Sequence, residues 1–146
     1  LDKALVQVNA VAEAYPELVF AGSTSGTYDL MKLLPKEGEY RIHAVVYGER
    51  DVFPTRWELD NIITPARLSK LAGVRLYISH GSKDRSVNPN QVDALRDALK
   101  GTDILASYHV VKGAKHDWEF WNSQWGPMFA AAAEAFGSAP EYDPPR

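Results

Sequence analysis

Hydrophobic and polar residues alternate along this chain with two different periods, which predict helices and strands in turn. Over Leu1–Tyr15 the apolar positions recur every three or four residues, as in an amphipathic helix, and Pro16 ends the pattern. Leu18–Ala21 is a short apolar run that predicts an inner strand of a parallel sheet. The glycine- and serine-rich stretch Gly22–Gly26 predicts a loop after that strand.

The segment between residues 27 and 73 carries weaker patterns. Tyr28–Leu34 predicts a short helix, whereas the apolar, β-branched run Ile42–Tyr47 fits either a strand or a buried helical turn. Gly48–Trp57 is polar and contains a proline, which favours a loop. Pro65–Leu71 predicts another short helix, with proline in its first turn and Gly73 just beyond its end.

From residue 74 onward the pattern is clearer. Val74–Ser79 is rich in β-branched and aromatic residues and predicts a strand, and His80–Val87 predicts a loop. A helix is then expected from Asn88, which can cap it, with Gln91 reaching back as in a capping box and Gly101 closing it. The buried stripe of this helix is expected at Val92, Leu95, Ala98 and Leu99.

The last part of the chain predicts a further strand and a long helix. The strand is expected over Ile104–Val111, and a loop follows over Gly113–Asp117. Trp118–Phe136 predicts the helix, which could break at Gly126-Pro127, and Gly137–Arg146 predicts an extended tail. Strands that alternate with helices imply an α/β fold, in which a parallel sheet is flanked by helices.

Composition narrows the classes of protein to consider. The chain has 146 residues, the length of one domain, and its 11% aromatic content is too high for a disordered protein. No apolar run approaches the roughly 20 residues of a membrane span, and a formal charge of −3 argues against nucleic acid as a partner. The absence of cysteine excludes thiol catalysis and cysteine-bound metals.

The start of the chain raises a separate expectation. The first residue is Leu1, and no charged and then apolar leader follows it, so we expect no signal peptide in this chain. The location stays open between the cytoplasm and the outside of the cell. Without an initial methionine, the chain is expected to be a processed product, a trimmed form or a fragment.

Ionisable residues follow the last two predicted strands. Asp84 lies in the loop after Val74–Ser79, and His116 lies in the loop after Ile104–Val111. Because catalytic groups of parallel sheets gather outside the carboxyl ends of the strands, we expect these side chains to meet if their strands are neighbours. An acid followed about 30 residues later by a histidine is the chain order of the last two members of a Ser-Asp-His triad.

In such a pair, histidine takes a proton from a hydroxyl and later returns it, for which its ordinary pKa near neutrality is suited. A buried carboxylate fixes the tautomer of the ring and stabilises the imidazolium. His116 and Asp84 are therefore the candidate catalytic residues. Asp117 and Asp93 are the alternative acids, although Asp117 is adjacent to the histidine and is poorly placed to reach its ring.

The motifs around these residues resemble those of a known family. YISHGSKD, followed by a helix and then by YHVVKGAKHDWEFW, resembles the esterase branch of the α/β-hydrolases. That branch includes feruloyl esterases, S-formylglutathione hydrolases, siderophore esterases and mycolyltransferases. Its G-x-x-D and G-x-x-H loops match Gly81–Asp84 and Gly113–His116. AYPELVFAGSTSG resembles the stretch after the helix that follows the nucleophile, and Asn61–Leu71 resembles the approach to the acid-bearing strand.

The resemblance implies a serine-type ester hydrolase that acts on a small-molecule ester without metal or cofactor. The serine of such enzymes stands in a G-x-S-x-G elbow, which the resemblance places about four residues before Leu1. Residues 1–137 would then be the C-terminal portion of a single α/β-hydrolase domain, and 138–146 its tail. A prolyl-peptidase-like hydrolase and a non-catalytic binding module of the same fold are the alternatives.

Other residues near the expected site have more than one interpretation. Gly22–Gly26 resembles a nucleophile motif but has Thr24 at its centre, so we interpret it as a loop beside the pocket, with Ser25 as a pocket candidate. Trp118 and Trp121 lie in an aromatic cluster, with Trp125, Phe120 and Phe129, that favours packing of a helix on the sheet. The second interpretation is that Trp118 or Trp121 forms a wall of the substrate pocket.

The remaining histidines lack the spacing of metal ligands. His109 is expected on a face of the sheet, and His80 could contact Asp84. A sheet with an unpaired inner edge and a bare apolar helix stripe would be prone to associate. We therefore expect a tight partner, either the N-terminal half of the same hydrolase or a second copy of the chain.

Overall fold

The computed structural model describes residues 18–137. The helix expected over Leu1–Tyr15 and residues 138–146 of the expected tail lie outside the described residues. The strands of the described part are β1 (Phe20–Thr24), β2 (Arg75–Gly81) and β3 (Ala106–Val111). Its α-helices are α1 (Gly38–Tyr47), α2 (Pro54–Leu59), α3 (Pro65–Leu68), α4 (Asn90–Leu99) and α5 (Trp118–Gly137). Short 3₁₀ turns lie at Leu30–Lys32 and Ser69–Leu71.

The three strands form one parallel sheet with β2 in the middle. The register pairs Thr24 of β1 with Ser79 of β2, and Gly81 of β2 with Val111 of β3. Parallel strands point the same way, so the loops that follow all three leave from one edge of the sheet. The expected α/β architecture, a parallel sheet flanked by helices, is confirmed.

Helices cover both faces of the sheet. Successive side chains of a strand point to opposite faces, so Leu76 and Ile78 lie on one face and Tyr77 on the other. The first face packs in one buried cluster with α4, through Val92, Leu95 and Leu99, and with the partly buried Ala98, as the sequence predicted. On the second face, the Tyr77 hydroxyl donates to Oε1 of Gln124 on α5 at 3.0 Å.

Glycine permits α5 to approach β1 closely. A Cβ built on Gly22 would lie 2.5 Å from the sulfur of Met128, closer than nonbonded atoms come. Gln124 and Met128 flank Pro127, and both pack against the sheet. This packing offsets the hydrogen bond that proline cannot make, so α5 continues through Gly126-Pro127, where the sequence left a break open.

Two sequence expectations are wrong in the first half of the chain. The loop expected at Gly22–Gly26 begins later, because pairing with β2 extends β1 to Thr24. The loop expected over Gly48–Trp57 contains the start of α2, where Pro54 occupies the first turn. The ambiguous run Ile42–Tyr47 belongs to α1, and most of its apolar side chains are exposed.

Gln91 does not form the expected capping box. Its Oε1 accepts hydrogen bonds from the backbone amides of Tyr28 and Asp29, at 2.9 and 2.7 Å, and its Nε2 donates to the Asp29 carbonyl. The buried side chain therefore satisfies backbone groups that would otherwise be left without partners inside the protein. Asn88 does help to start α4, because its Oδ1 accepts from the amide of Asn90 at 3.0 Å.

Candidate catalytic site

Asp84 and His116, the two residues predicted to be catalytic, meet at the carboxyl edge of the sheet. Nδ1 of His116 lies 2.8 Å from Oδ2 of Asp84. Because an ionised carboxylate only accepts hydrogen bonds, we assign the ring proton to Nδ1. The other ring nitrogen, Nε2, is then the unprotonated base. This is the tautomer that a histidine needs in order to accept a proton from a nucleophile.

A tight turn holds the carboxylate of Asp84. Its Oδ1 accepts hydrogen bonds from the amides of Ser86 and Val87, both at 2.9 Å, while its own amide donates to the carbonyl of Gly81 at 3.1 Å. The side chain is fully buried. One carboxylate oxygen thus closes the turn and the other binds His116. The turn-forming tendency of aspartate and its proposed catalytic use are therefore compatible in one residue.

The two loops are joined by hydrogen bonds beyond the ends of their strands. The amide of Ser82 donates to the carbonyl of Val111 at 2.9 Å, and the amide of Lys83 donates to the carbonyl of Ala114 at 2.8 Å. The Ser82 hydroxyl oxygen accepts from the amide of Gly113 at 2.8 Å. The position of His116 relative to Asp84 is therefore set by two main-chain hydrogen bonds and one to the Ser82 hydroxyl, which continue the pairing of β2 with β3.

The structure explains why each of the two loop motifs begins with glycine. A Cβ on Gly81 would lie 2.5 Å from the carbonyl oxygen of Ala114, which is main chain and cannot move independently. Gly113 has a φ of +83°, in the left-handed region that side chains other than glycine's rarely adopt. The first glycine lets the loops approach, and the second turns the loop that carries His116.

Of the predicted pocket residues, Trp121 contacts the histidine, and Ser25 contacts Trp121. The rings of His116 and Trp121 meet edge to face, with 5.1 Å between their centroids. The indole Nε1 of Trp121 donates to Oγ of Ser25 at 3.3 Å, and Ser25 is buried directly after the end of β1. The end of β1 therefore helps to fix the ring that borders the histidine.

The packing expected of the aromatic cluster holds for part of it. Phe120 is buried, whereas Trp118 is 69% exposed and Trp125 and Phe129 are also exposed. The ring of Trp118 contacts that of Trp121 edge to face, with 5.0 Å between centroids. Packing on the sheet is thus wrong for Trp118, Trp125 and Phe129, because these rings lie on the exposed side of α5, where Trp125 stacks on Phe129.

The alternative acids have other partners. Oδ1 of Asp117 accepts from the amide of Phe120 at 3.0 Å and so caps the first turn of α5. Asp93 forms an exposed ion pair with Arg96 at 2.7 Å on the surface of α4. Neither contact involves His116.

His80 is a buried neighbour of Asp84. Its Nε2 lies 3.0 Å from the carbonyl oxygen of Val87 and 3.5 Å from Oδ2 of Asp84. Burial lowers the pKa of His80, and His116 acts in the same direction, while Val87 and Asp84 partly offset them. The closeness of His80 to Asp84 in the sequence indicated their contact. The contact of His80 with Val87 could not be predicted, because it depends on how the turn folds.

The other histidines belong to the packing of the fold. His109 lies on the sheet, as expected, and stacks on Tyr77 with 4.5 Å between ring centroids. His43 on α1 packs against Tyr47 and Trp57. Among residues 18–137, no group of three or more acidic or histidine side chains is placed to hold a metal ion. No helix of this part is long and apolar enough to cross a membrane.

Comparison with solved structures shows the fold. A puromycin-hydrolysing peptidase of Mycobacterium tuberculosis superposes on 88% of the chain with a TM-score of 0.65 and 18% identity. A ferulic acid esterase superposes on 88% with a TM-score of 0.57 and 16% identity. An S-formylglutathione hydrolase of Agrobacterium tumefaciens superposes on 87% with a TM-score of 0.55 and 14% identity. No family model and no curated protein matches the sequence.

The chain is much shorter than these hydrolases. It spans 19% of the length of the peptidase, 47% of the ferulic acid esterase and 44% of the S-formylglutathione hydrolase. The parallel sheet, its flanking helices and these superpositions show that the described part of the chain has an α/β-hydrolase fold.

The close approach at Gly81 makes a testable prediction. Gly81→Ala should destabilise the protein by about 1–3 kcal/mol, because the new methyl group must push the loops apart. The measurement is the urea midpoint. Gly38→Ala is the matched control, because a Cβ there meets no atom within 4 Å at the start of α1, and it should be neutral or slightly stabilising. An equal loss of stability in both variants would contradict the explanation that Gly81 is needed for the close approach of the loops.

The lowered pKa of His80 predicts a pH-dependent stability. An unfolded histidine titrates near pH 6.5, so below that pH the unfolded chain binds more protons than the folded one, and stability falls towards the lower folded pKa. In His80→Gln the side chain at position 80 does not titrate, so this contribution to the pH dependence of stability is absent. The difference in unfolding free energy, wild type minus variant, should therefore shrink as pH decreases from 7 to 5, by at most about 1.4 kcal/mol per pH unit. The unfolding free energies come from urea titrations at several pH values. If they change with pH by the same amount in the wild type and in His80→Gln, the prediction is wrong.

Proposed function

We propose that this chain supplies the acid and the histidine of a Ser-Asp-His triad in a carboxylic ester hydrolase. The observation that carries the proposal is the 2.8 Å contact of His116 Nδ1 with a buried Asp84, which leaves Nε2 as the base. In the proposal, the serine lies upstream of Leu1, and residues 1–137 form the C-terminal portion of the α/β-hydrolase domain. The ferulic acid esterase and the S-formylglutathione hydrolase of similar fold support the ester reaction.

The proposed reaction proceeds in two proton-transfer cycles. Nε2 of His116 takes the hydroxyl proton of the serine as its oxygen attacks the ester carbonyl, and Asp84 stabilises the resulting imidazolium. The imidazolium then gives that proton to the departing alcohol as the carbon–oxygen bond breaks, which leaves an acyl-enzyme. Water, deprotonated by the same nitrogen, attacks the acyl group. The serine regains its proton and the acid product is released.

The substrate in this proposal is a small-molecule ester whose bound part lies along the aromatic side chains next to His116. Trp121 borders the ring of the histidine, and the exposed Trp118 extends that surface outward. Both rings present flat apolar area, which suits an ester with an apolar or aromatic portion. Ser25 fixes Trp121 and contributes the buried hydroxyl at the inner end.

The partner in this proposal is the N-terminal portion of the same hydrolase, and a second copy of the chain is the alternative. Within the described residues, β1 pairs only with β2, so its other edge is available to a further strand. Exposed aromatic rings of α5, including Trp125 and Phe129, provide apolar area for association. The short span relative to similar hydrolases supports the first partner.

A peptidase of the prolyl-peptidase kind is the second candidate. The puromycin-hydrolysing peptidase has the higher TM-score, 0.65 against 0.57 for the ferulic acid esterase, which favours it on backbone geometry. The same residues would serve, with an amine in place of the alcohol as leaving group. Turnover of matched ester and anilide substrates separates the two, because a peptidase retains useful activity on the anilide.

The serine is tested by labelling the protein, purified at its natural length, with a fluorophosphonate. We expect one adduct on a serine outside the 146 residues, either upstream in the same polypeptide or on a bound one, located by denaturing mass spectrometry. A protein that takes up no label would contradict the triad and favour the binding module.

The roles of the pair are tested by substitution. Asp84→Asn should lower kcat by about 10⁴-fold, because it favours the wrong tautomer of the histidine, and His116→Ala should do so by at least as much. Asp117→Asn is the matched control, because asparagine still caps α5 but cannot act as the acid. If the control loses activity and Asp84→Asn retains it, Asp117 is the acid and our assignment is wrong.

A further inference from the structure

His80 contacts the turn that carries Asp84. It is the sixth residue of β2 and is completely buried. Its Nε2 reaches the carbonyl oxygen of Val87 at 3.0 Å, on the far side of the turn that starts at Asp84. The amide of Val87 in turn donates to Oδ1 of Asp84 at 2.9 Å. Val87, which binds the carboxylate, is therefore itself connected to β2 through His80.

The protonation state of His80 follows from its surroundings. A carbonyl oxygen only accepts, so Nε2 carries the proton that bonds Val87, and Nδ1 carries none. Nδ1 is buried, and no atom of residues 18–137 forms a hydrogen bond with it. An imidazolium would have to bury a second N–H group there without an acceptor, so the neutral form is favoured.

Neutrality matters because of the distance to the acid. Nε2 of His80 lies 3.5 Å from Oδ2 of Asp84, the same oxygen that binds His116 at 2.8 Å. A full positive charge at that distance would compete with the imidazolium of His116 for the carboxylate. A neutral N–H group instead contributes a donor and leaves His116 as the main partner of the negative charge.

We propose that His80 is a positioning residue, which as a neutral donor to Val87 holds the Asp84 turn so that Oδ2 meets His116. This role rests on the proposed function, because it acts through the same acid and histidine. The ordinary alternative is that His80 merely fills space in the core. That alternative predicts that an apolar residue of similar size would leave the Asp84–His116 hydrogen bond unchanged.

The test uses the protein at its natural length with two substitutions. His80→Gln keeps an N–H donor where Nε2 now lies, whereas His80→Leu fills similar space without one. The spectroscopic readout is the downfield proton resonance of His116 Nδ1, assigned by its loss in His116→Ala. We expect the resonance to persist in the glutamine variant and to disappear through solvent exchange in the leucine variant. Ester turnover should fall about a hundredfold in kcat for leucine, with KM unchanged, and recover in glutamine.

General destabilisation is controlled within the same strand. Ile78→Ala removes buried apolar volume two residues away, in the cluster that packs on α4, and it should lower the melting temperature while keeping the resonance. Should the leucine variant fail to fold, His80→Asn replaces it, because asparagine is too short to reach the Val87 carbonyl. Loss of the resonance in asparagine but not in glutamine then supports the role.

The outcomes separate the two proposals. Persistence of the resonance and of turnover in His80→Leu, or in His80→Asn where leucine does not fold, overturns the positioning role and leaves the triad standing. The opposite result is also possible: the resonance is lost in these variants, but the wild type neither hydrolyses esters nor takes up fluorophosphonate. That result supports the positioning role and contradicts the proposed esterase activity. Loss of the resonance in Ile78→Ala as well would show that any core defect releases the pair, and the proposal would be wrong.

Discussion

Parallel pairing of β2 with β3 is the constraint on which the rest of the site depends. The register that sets Gly81 opposite Val111 starts the two loops at the same level, and hydrogen bonds through Ser82 and Lys83 continue the contact past the strand ends. Asp84 and His116 are thus brought together by main-chain geometry as well as by the hydrogen bond between their side chains. A shift of register by one residue would turn every side chain of β3 to the other face. It would also separate the pair.

The main-chain frame also explains why one carboxylate can have two tasks. A buried carboxylate needs several donors to offset the loss of water. Two amides of its own turn bind one oxygen, and His116 binds the other. The turn amides satisfy and fix the first oxygen independently of the histidine. Asp84 can therefore orient His116 without depending on it for its own position.

Much of the fold and of the pair could be predicted from the sequence, because the evidence was local. Strand-like runs, the apolar stripe of α4 and the loops ending in Asp84 and His116 are each contained in about ten residues. Contacts between distant segments could not be predicted this way. Gln91 has the local pattern of a cap, yet its side chain binds Tyr28, 63 residues earlier. Ile42–Tyr47 is apolar enough for a strand, and only the folded chain shows it as a helix with an exposed side.

The end of β1 contributes through Ser25. Within residues 18–137, Ser25 is the one residue other than glycine with a positive φ, 54°, a conformation that costs about 1–3 kcal/mol. Its amide donates to the carbonyl of Ser79 at 2.9 Å, which extends the pairing of β1 with β2, and its hydroxyl oxygen accepts from Trp121. The strained backbone thereby directs the hydroxyl at the ring beside His116. Each strand thus supports one part of the proposed site: β1 supports Trp121, β2 leads to Asp84 and β3 leads to His116. The cost of the positive φ at Ser25 is offset by two hydrogen bonds, one from its amide to the sheet and one from Trp121 to its hydroxyl, and the second adds to the contacts of Trp121 with His116 and Trp118.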